Sequence, residues 1–402
     1  MIVHIEKGKS SGSIKAPPSK SMAHRLLICA AMAEGTSTLR GISMCEDVLA
    51  TLDCLKSMGV KVTLEGDTVK VLGRSAADLS PSAPLMCRES GSTLRFLIPI
   101  ALISGKNTLF CGKESLMRRP MNVYKEMFRE KGLVYHDDGN TIAVKGPLVS
   151  GEYSLPGNVS SQFVSGLLFA LPSINGDSRI KITPPLESRS YIELTISALS
   201  HFGINIIRED EYTFYIKGNQ TFTACDINVE GDYSSAAFIE ALNLFGGNST
   251  VYGLNPESLQ GDKIYSKFFD MLKKGVPTIH IGNCPDLGPI LFAVAAAKHG
   301  GVFTGTKRLK IKESDRAVAM ANELRKFGVS VTVYEDKVVV YPIALKKPTE
   351  PLSGHNDHRI VMALSILLTL TGGEISEAEA VKKSYPDFFH DLDKLGIKLS
   401  YS

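Results

Sequence analysis

Hydrophobic and polar positions along the chain repeat one unit several times over. The unit is an apolar helical run, a glycine-containing turn, a strand, an amphipathic helix closing on Leu-x-x-x-Gly or a near variant, and another strand. The closing glycines are Gly59, Gly132, Gly203, Gly275, Gly328 and Gly396, spaced by about 70 residues apart from a shorter step between Gly275 and Gly328. Each predicts a helix C-cap, and each precedes a strand-like stretch such as Val60-Lys61-Val62-Thr63-Leu64 or Val329-Ser330-Val331-Thr332-Val333. Hairpin turns are expected at Glu65-Gly66-Asp67, Asp138-Gly139-Asn140, Glu209-Asp210-Glu211 and Glu335-Asp336, so the unit reads βαβαββ. The fourth copy lacks its hairpin after Pro277-Thr278-Ile279-His280-Ile281. With a break near residues 225–230, six copies predict two domains of three; the first strand, Val3-His4-Ile5, is open to either.

Polar chemistry collects where the helices begin. Pro17-Pro18 fixes an extended entry, serines follow where an N-cap is wanted, and residues 26–32 continue as a helix expected to run to Glu34-Gly35. Lys20, Ser21 and Arg25 therefore crowd one helix start. Free backbone N–H groups, the positive end of the helix dipole and two cations make an anion receptor there, suited to phosphate or carboxylate. The other apolar helices open on Glu89-Ser90-Gly91-Ser92-Thr93-Leu94-Arg95, Ser160-Ser161-Gln162, Asp232-Tyr233-Ser234-Ser235, Pro285-Asp286 and Asn356-Asp357-His358-Arg359. The amphipathic ones open on Arg118-Arg119-Pro120-Met121, Ser188-Arg189-Ser190-Tyr191, Lys312-Glu313-Ser314-Asp315-Arg316 and Lys382-Lys383-Ser384-Tyr385-Pro386-Asp387. Lys312 and Arg316, at i and i+4, share a helical face. A purely structural repeat would carry generic caps, so these clusters favour a cleft enzyme over a non-catalytic scaffold.

Composition narrows the ligand class. The 402 residues are 44% hydrophobic and 22% charged, an ordinary globular balance, and a net charge of +3 is too small for a nucleic-acid coat. Bases placed beside helix starts point to small acidic ligands. The apolar stretches at 291–297 and 360–370 are too short to span a bilayer. No basic segment followed by an apolar one opens the chain, and seven cysteines without a Cys-x-x-Cys pair suit reduced thiols, so a cytoplasmic location is expected.

The motifs Ser19-Lys20-Ser21-x-x-x-Arg25, Ser90-Gly91-Ser92-Thr93-Leu94-Arg95, Arg119-Pro120-Met121, Ser160-Ser161-Gln162-Phe163, Lys312-Glu313-Ser314-Asp315-Arg316 and Asn356-Asp357-His358-Arg359, in that order, resemble the 5-enolpyruvylshikimate-3-phosphate synthase family. The resemblance covers nearly the whole chain. It implies an α/β (α+β) fold, a two-domain inside-out barrel with residues 17–227 in one domain, residues 1–16 and 228–402 in the other, and an active-site cleft between them. It implies transfer of the enolpyruvyl group of phosphoenolpyruvate to the 5-hydroxyl of shikimate 3-phosphate with release of phosphate. No metal or organic cofactor, nucleic acid or membrane is implied, and a monomer is expected.

Carried over by position, the resemblance assigns shikimate 3-phosphate to Lys20, Ser21, Arg25, Ser160, Ser161, Gln162, Ser188, Tyr191, Asp286 and Lys312. Phosphoenolpyruvate falls to Lys20, Gly91, Arg119, Gln162, Arg316, Arg359 and Lys383. Guanidinium forks suit planar carboxylate and phosphate, while hydroxyls and amides suit a ring phosphate and its neighbouring hydroxyls. Proton transfer needs two groups, drawn from Asp286, Glu313 and Lys20, with Lys312 stabilising charge. Asp286 is assigned to the attacking hydroxyl and Glu313 to the methylene carbon. Two positions depart from the family pattern: Glu89 stands where Asn is usual, and Arg308 where Asn often precedes the Lys-Glu motif. The rival sugar-nucleotide enolpyruvyl transferase, which uses UDP-N-acetylglucosamine, carries a reactive cysteine five residues before an Arg-Pro; here that residue is Glu114, and Cys111 lies eight before Arg119.

Overall fold

A computed structural model describes residues 1–402. The chain divides into two compact units, residues 18–230 and residues 1–17 with 231–402. The first unit extends past 227 because Asp226–Asn228 pairs in parallel with Thr38–Arg40, and the chain leaves the unit only after Glu230.

In the unit of residues 18–230 the helices are α1 (Lys20–Met32), α2 (Glu46–Ser57), α3 (Gly91–Ile103), the single turn α4 (Glu114–Met117), α5 (Asn122–Glu130), α6 (Ser161–Ala170) and α7 (Arg189–His201). α1, α3 and α6 are apolar almost all round and buried along nearly their whole length, so they form the interior. α2, α5 and α7 bury one face each. Three sheets repeat one plan: a parallel edge pair, then an antiparallel hairpin. Gly151–Pro156 runs parallel to Ser178–Thr183, which pairs antiparallel with Thr213–Ile216 of the hairpin from Ile206–Arg208. Leu85–Met86, Asn107–Cys111, Thr141–Lys145 and Val134–Asp137 repeat it. In the third sheet the parallel edge on Ala33–Arg40 is supplied by Phe222–Thr223 and Asp226–Asn228, from the far end of the unit. Alternate residues of Ser178–Thr183 are buried and exposed, so that sheet turns one face to the helices and one to water. With helices within and sheets around them, the unit is inside-out relative to a barrel whose strands line the interior. Phe96 of α3 packs edge-on against Phe169 of α6, centroids 5.3 Å apart.

The other unit holds α8 (Tyr233–Leu244), α9 (Tyr265–Lys274), α10 (Gly288–Ala297), α11 (Arg316–Lys326), α12 (His358–Thr371) and α13 (Phe388–Lys394), with α8, α10 and α12 buried. Thr278–His280, Gly301–Thr304, Lys337–Val340 and Val331–Val333 repeat the same sheet plan. The last sheet completes it with a strand from the chain start. Gly373–Ile375 meets Leu352 in parallel on one side and Val3–Ile5 antiparallel on the other, and Val3–Ile5 pairs next with Leu399–Tyr401. The remaining sheet is the parallel pair Ser11–Lys15 and Asn248–Tyr252, the copy without a hairpin.

Two local expectations change. α1 stops at Met32, and Glu34-Gly35 lie in the strand Ala33–Arg40, whose pairing with Thr68–Gly73 outcompetes another helical turn. Five of the closing glycines adopt left-handed φ, from 64° to 89°, but Gly275 has φ 171° and leaves α9 extended. No helix is long and apolar enough to cross a membrane.

Candidate active site

The helix starts carry the expected chemistry, unit by unit. In the unit of residues 18–230, Ser19, Ser90 and Ser160 cap α1, α3 and α6, their hydroxyls accepting from the backbone N–H of Met22, Thr93 and Gln162. Lys20 reaches α2, its Nζ 2.8 Å from Asp47 Oδ2. Arg25 is 2% exposed. Its Nε donates to Thr195 Oγ1 at 2.8 Å, Nη1 to the Ser21 carbonyl at 2.6 Å and Nη2 to the Tyr191 carbonyl at 2.9 Å, with the rings of Phe96 and Tyr191 beside it. Burial pulls its pKa down to about 10, so it stays protonated at neutral pH. Three of five donors are engaged by protein, which orients the fork and leaves two for a ligand.

Gly91 opens α3 where space is scarce. A Cβ there would stand 3.0 Å from Arg119 Nη1, 3.2 Å from Arg95 Nη1 and 3.6 Å from Gln162 Oε1. Gln162 bridges these groups: its Oε1 accepts from Arg95 Nη1 at 2.7 Å, and its Nε2 donates to Ser92 Oγ at 2.9 Å. Gly91, Arg119, Gln162 and Arg95 thus form one cluster at the start of α3. Arg95 had appeared in the sequence only as part of a motif, and its buried placement over Phe163, 5.1 Å from the ring centroid, makes it a member of this cluster. Ser161 and Ser188 are buried and Ser160 partly so; Ser188, with φ 55°, turns the chain into α7, placing Tyr191 on its first turn. Glu89 is 8% exposed and pairs with Lys113 at 3.0 Å. Glu114 is exposed and pairs with Arg118.

The second cluster centres on Arg316, which is 1% exposed. Asp357 holds it through Nε at 2.9 Å and Nη2 at 3.3 Å, Asp286 accepts from Nη1 at 2.8 Å, and Glu313 accepts from Nη2 at 2.7 Å. Three carboxylates raise the guanidinium's pKa against the opposing effect of burial. Asp286 also faces Lys312 Nζ at 3.2 Å and Arg359 Nη2 at 3.7 Å. It sits in the turn Pro285–Leu287 before α10, where no side chain caps the helix. Burial lowers the Lys312 pKa. Arg359, on the first turn of α12, is 3% exposed, and its Nε and Nη1 meet no acceptor in the chain. Lys383 Nζ lies 2.5 Å from the Asn356 carbonyl. Arg308, buried, donates to the Gly282 carbonyl at 3.4 Å.

Asp357, which the sequence offered only as part of a motif, and Asp262, which it did not offer, complete this cluster. Asp357 caps α12 by accepting from Arg359 N at 2.9 Å, a role its position before an apolar run could signal, but its hold on Arg316 spans 41 residues. Asp262 is buried in the turn Gly261–Ile264; burial first, then the charge of Asp286, pushes its pKa up to about 7.

The fold is that of a sixfold-repeat α/β protein in two units, with cationic side chains and hydroxyls gathered at its helix starts. The model of the EPSP synthase (3-phosphoshikimate 1-carboxyvinyltransferase) family matches residues 5–392, and the chain belongs to that family. The 3-phosphoshikimate 1-carboxyvinyltransferase of Clostridium botulinum strain Alaska E43 is 39% identical over 418 residues, spanning 98% of this chain and 96% of the relative. That of Clostridium kluyveri is 39% identical over 421 residues, spanning 98% and 97%. In fold, the chain is similar to an EPSP synthase structure from Acinetobacter baumannii, with a TM-score of 0.81, 23% identity and complete coverage of both chains.

Proposed function

We propose that this protein transfers the enolpyruvyl group of phosphoenolpyruvate to the 5-hydroxyl of shikimate 3-phosphate and releases phosphate, a step of the shikimate pathway toward aromatic amino acids. The observation that carries this reading is the family match over residues 5–392 with the motif residues gathered into buried cationic clusters. The sugar-nucleotide alternative is disfavoured by an exposed Glu114 at its cysteine position.

In this reading Lys20, Ser21, Arg25, Ser160, Ser161, Gln162, Ser188, Tyr191, Asp286 and Lys312 hold shikimate 3-phosphate. Lys20, Gly91, Arg119, Gln162, Arg316, Arg359 and Lys383 hold phosphoenolpyruvate. The two buried, unpartnered nitrogens of Arg359 support its part, since an anion would satisfy donors that otherwise carry a desolvation cost. Arg316 already spends four hydrogen bonds on Asp357, Asp286 and Glu313, so it contributes chiefly charge and the orientation of those carboxylates.

Asp286 takes the proton of the 5-hydroxyl as its oxygen bonds to C2 of phosphoenolpyruvate. A protonated Glu313 delivers its proton to the methylene carbon, giving a tetrahedral ketal phosphate; Lys20 is the alternative donor. Collapse breaks the C2–O bond to phosphate, and the deprotonated Glu313 recovers a proton from the new methyl group. Lys312 and Arg316 offset the charge that builds on the leaving group and carboxylates.

We further assign the protein to the cytoplasm as a monomer; seven free cysteines, five of them buried, support a reducing compartment. The test of the reaction is phosphate release from phosphoenolpyruvate that depends on shikimate 3-phosphate. Release driven by UDP-N-acetylglucosamine, or none with either acceptor, rejects the proposal.

A further inference from the structure

One helix, α2, ties the starts of α1 and α3 together inside the unit of residues 18–230. Its Asp47 holds Lys20 of α1, while its Asp53 holds Arg88 at 2.7 Å and its Glu46 pairs with the same guanidinium. Arg88 has φ 51°, a conformation unfavourable for a non-glycine residue, and its guanidinium is held by those two carboxylates. Between these ion pairs runs a line of buried hydroxyls. His24 Nδ1 of α1 lies 2.8 Å from Thr51 Oγ1 of α2, Thr51 Oγ1 lies 2.7 Å from Thr93 Oγ1 of α3, and Thr93 Oγ1 donates at 2.7 Å to Ser90 Oγ, the cap of α3. All four side chains are fully buried.

The proton count along this line has one solution. Thr93 spends its only hydroxyl proton on Ser90, so Thr51 must donate to Thr93, and then only His24 can donate to Thr51. His24 therefore carries a proton on Nδ1, and its buried Nε2 meets no acceptor that a second proton would need. Burial, then the charges of Lys20 and Arg25, pushes its pKa well below the usual value, in accord with a neutral ring.

We propose that His24 is a positioning residue that acts through Thr51, Thr93 and Ser90 to fix the backbone at Gly91 relative to Lys20 and Arg25. The proposal rests on the assignment of Gly91 to phosphoenolpyruvate and extends it: the groups expected to hold one substrate set the geometry of those holding the other. Hydroxyls in series polarise one another, so loss of one link loosens the whole line.

The test has two arms. Thr51→Val keeps shape and removes the link. It should raise the KM for phosphoenolpyruvate about tenfold, the scale of one buried hydrogen bond, and leave kcat and the KM for shikimate 3-phosphate within about twofold. Thr108→Val, at another buried threonine whose Oγ1 has no partner, should leave all three constants unchanged. An unchanged phosphoenolpyruvate KM in Thr51→Val, or an equal rise in the control, overturns the proposal. The second arm needs neither substrate nor variant: nitrogen-15 NMR of the wild-type protein should show His24 protonated at Nδ1 and bare at Nε2 from pH 8 to pH 5. A proton on Nε2, or titration near the ordinary histidine value, overturns it even where Thr51→Val does not fold. Absence of phosphate release would instead reject the assigned reaction and leave the tautomer result standing.

Discussion

Asp357 grips Arg316 with both carboxylate oxygens, Oδ2 at 2.9 Å from Nε and Oδ1 at 3.3 Å from Nη2, while its Oδ1 also accepts from Arg359 N at 2.9 Å. One buried carboxylate thus orders the starts of α11 and α12 together. Asp357→Asn keeps a good cap and removes the charge. It should cost about 3 kcal/mol, the low end for breaking a buried pair, because Asp286 and Glu313 still hold Arg316. Asp357→Ala loses the cap as well and should cost about 1 kcal/mol more. Urea unfolding midpoints measure both, and an Asn variant as stable as wild type would show that the charge does not matter.

Gly91 leaves no room for a methyl group without moving two guanidinium tips. Gly91→Ala should raise the KM for phosphoenolpyruvate and exclude bulkier analogues more strongly, because Arg119 and Arg95 must retreat from the space the ligand is expected to use. Isothermal titration with each substrate decides the matter. Weakened shikimate 3-phosphate binding with intact phosphoenolpyruvate binding would mean that the pocket is assigned to the wrong substrate.

Asp286 and Glu313 should fail in different ways. Removing a general acid or base costs about 10²–10⁴-fold in rate. Glu313→Gln can still bond to Arg316 and should slow turnover while sparing shikimate 3-phosphate binding; Asp286→Ala should impair both. Solvent-deuterium exchange into the methylene of phosphoenolpyruvate separates them further. Exchange at the wild-type rate in Glu313→Gln would move the proton-donor role to Lys20.

Two buried groups should pull the acid stability of the fold in opposite directions. His24 is held neutral, with its folded pKa well below the unfolded value near 6.5. Its contribution is present above about pH 6.5 and is lost on acidification, by up to about 1.4 kcal/mol per pH unit for one proton. Asp262, raised to about 7 in the fold and titrating near 4 when unfolded, binds its proton earlier in the folded state. It therefore adds stability as pH falls from about 7 to about 4. The two terms oppose each other between about pH 6.5 and 4. Relative to wild type, His24→Asn should make stability rise more on acidification, and Asp262→Asn should make it fall more. Denaturation curves at pH 7.5 and 5 give the comparison; parallel curves for all three proteins would count against both assignments.

What the amino-acid order determined lies within a few residues along the chain. Ser19, Ser90, Ser160, Asp232 and Asp357 are legible as caps because each bonds to an N–H two or three residues on. The hairpins at Gly66, Gly139, Asp210 and Asp336 follow from turn chemistry between alternating strands. The sixfold beat and the family motifs belong to the same class of evidence, as each is carried by neighbours in sequence. Gly275 shows the limit: it closes an amphipathic helix on the variant Met271-x-x-x-Gly, yet it leaves that helix in an extended conformation and not a left-handed one.

Only the tertiary structure decided which distant groups meet. Lys20 finds Asp47, Arg25 finds Thr195, and Arg316 gathers Asp286 and Asp357, across separations of 27 to 170 residues. Val3–Ile5, compatible by sequence with either half, lies between Gly373–Ile375 and Leu399–Tyr401. The reason is physical. Caps and turns are settled by local dihedral preferences and short-range hydrogen bonds, whereas the partner of a buried charge or a strand edge is whichever complementary group the packed helices bring within about 3 Å, and that depends on every element between them.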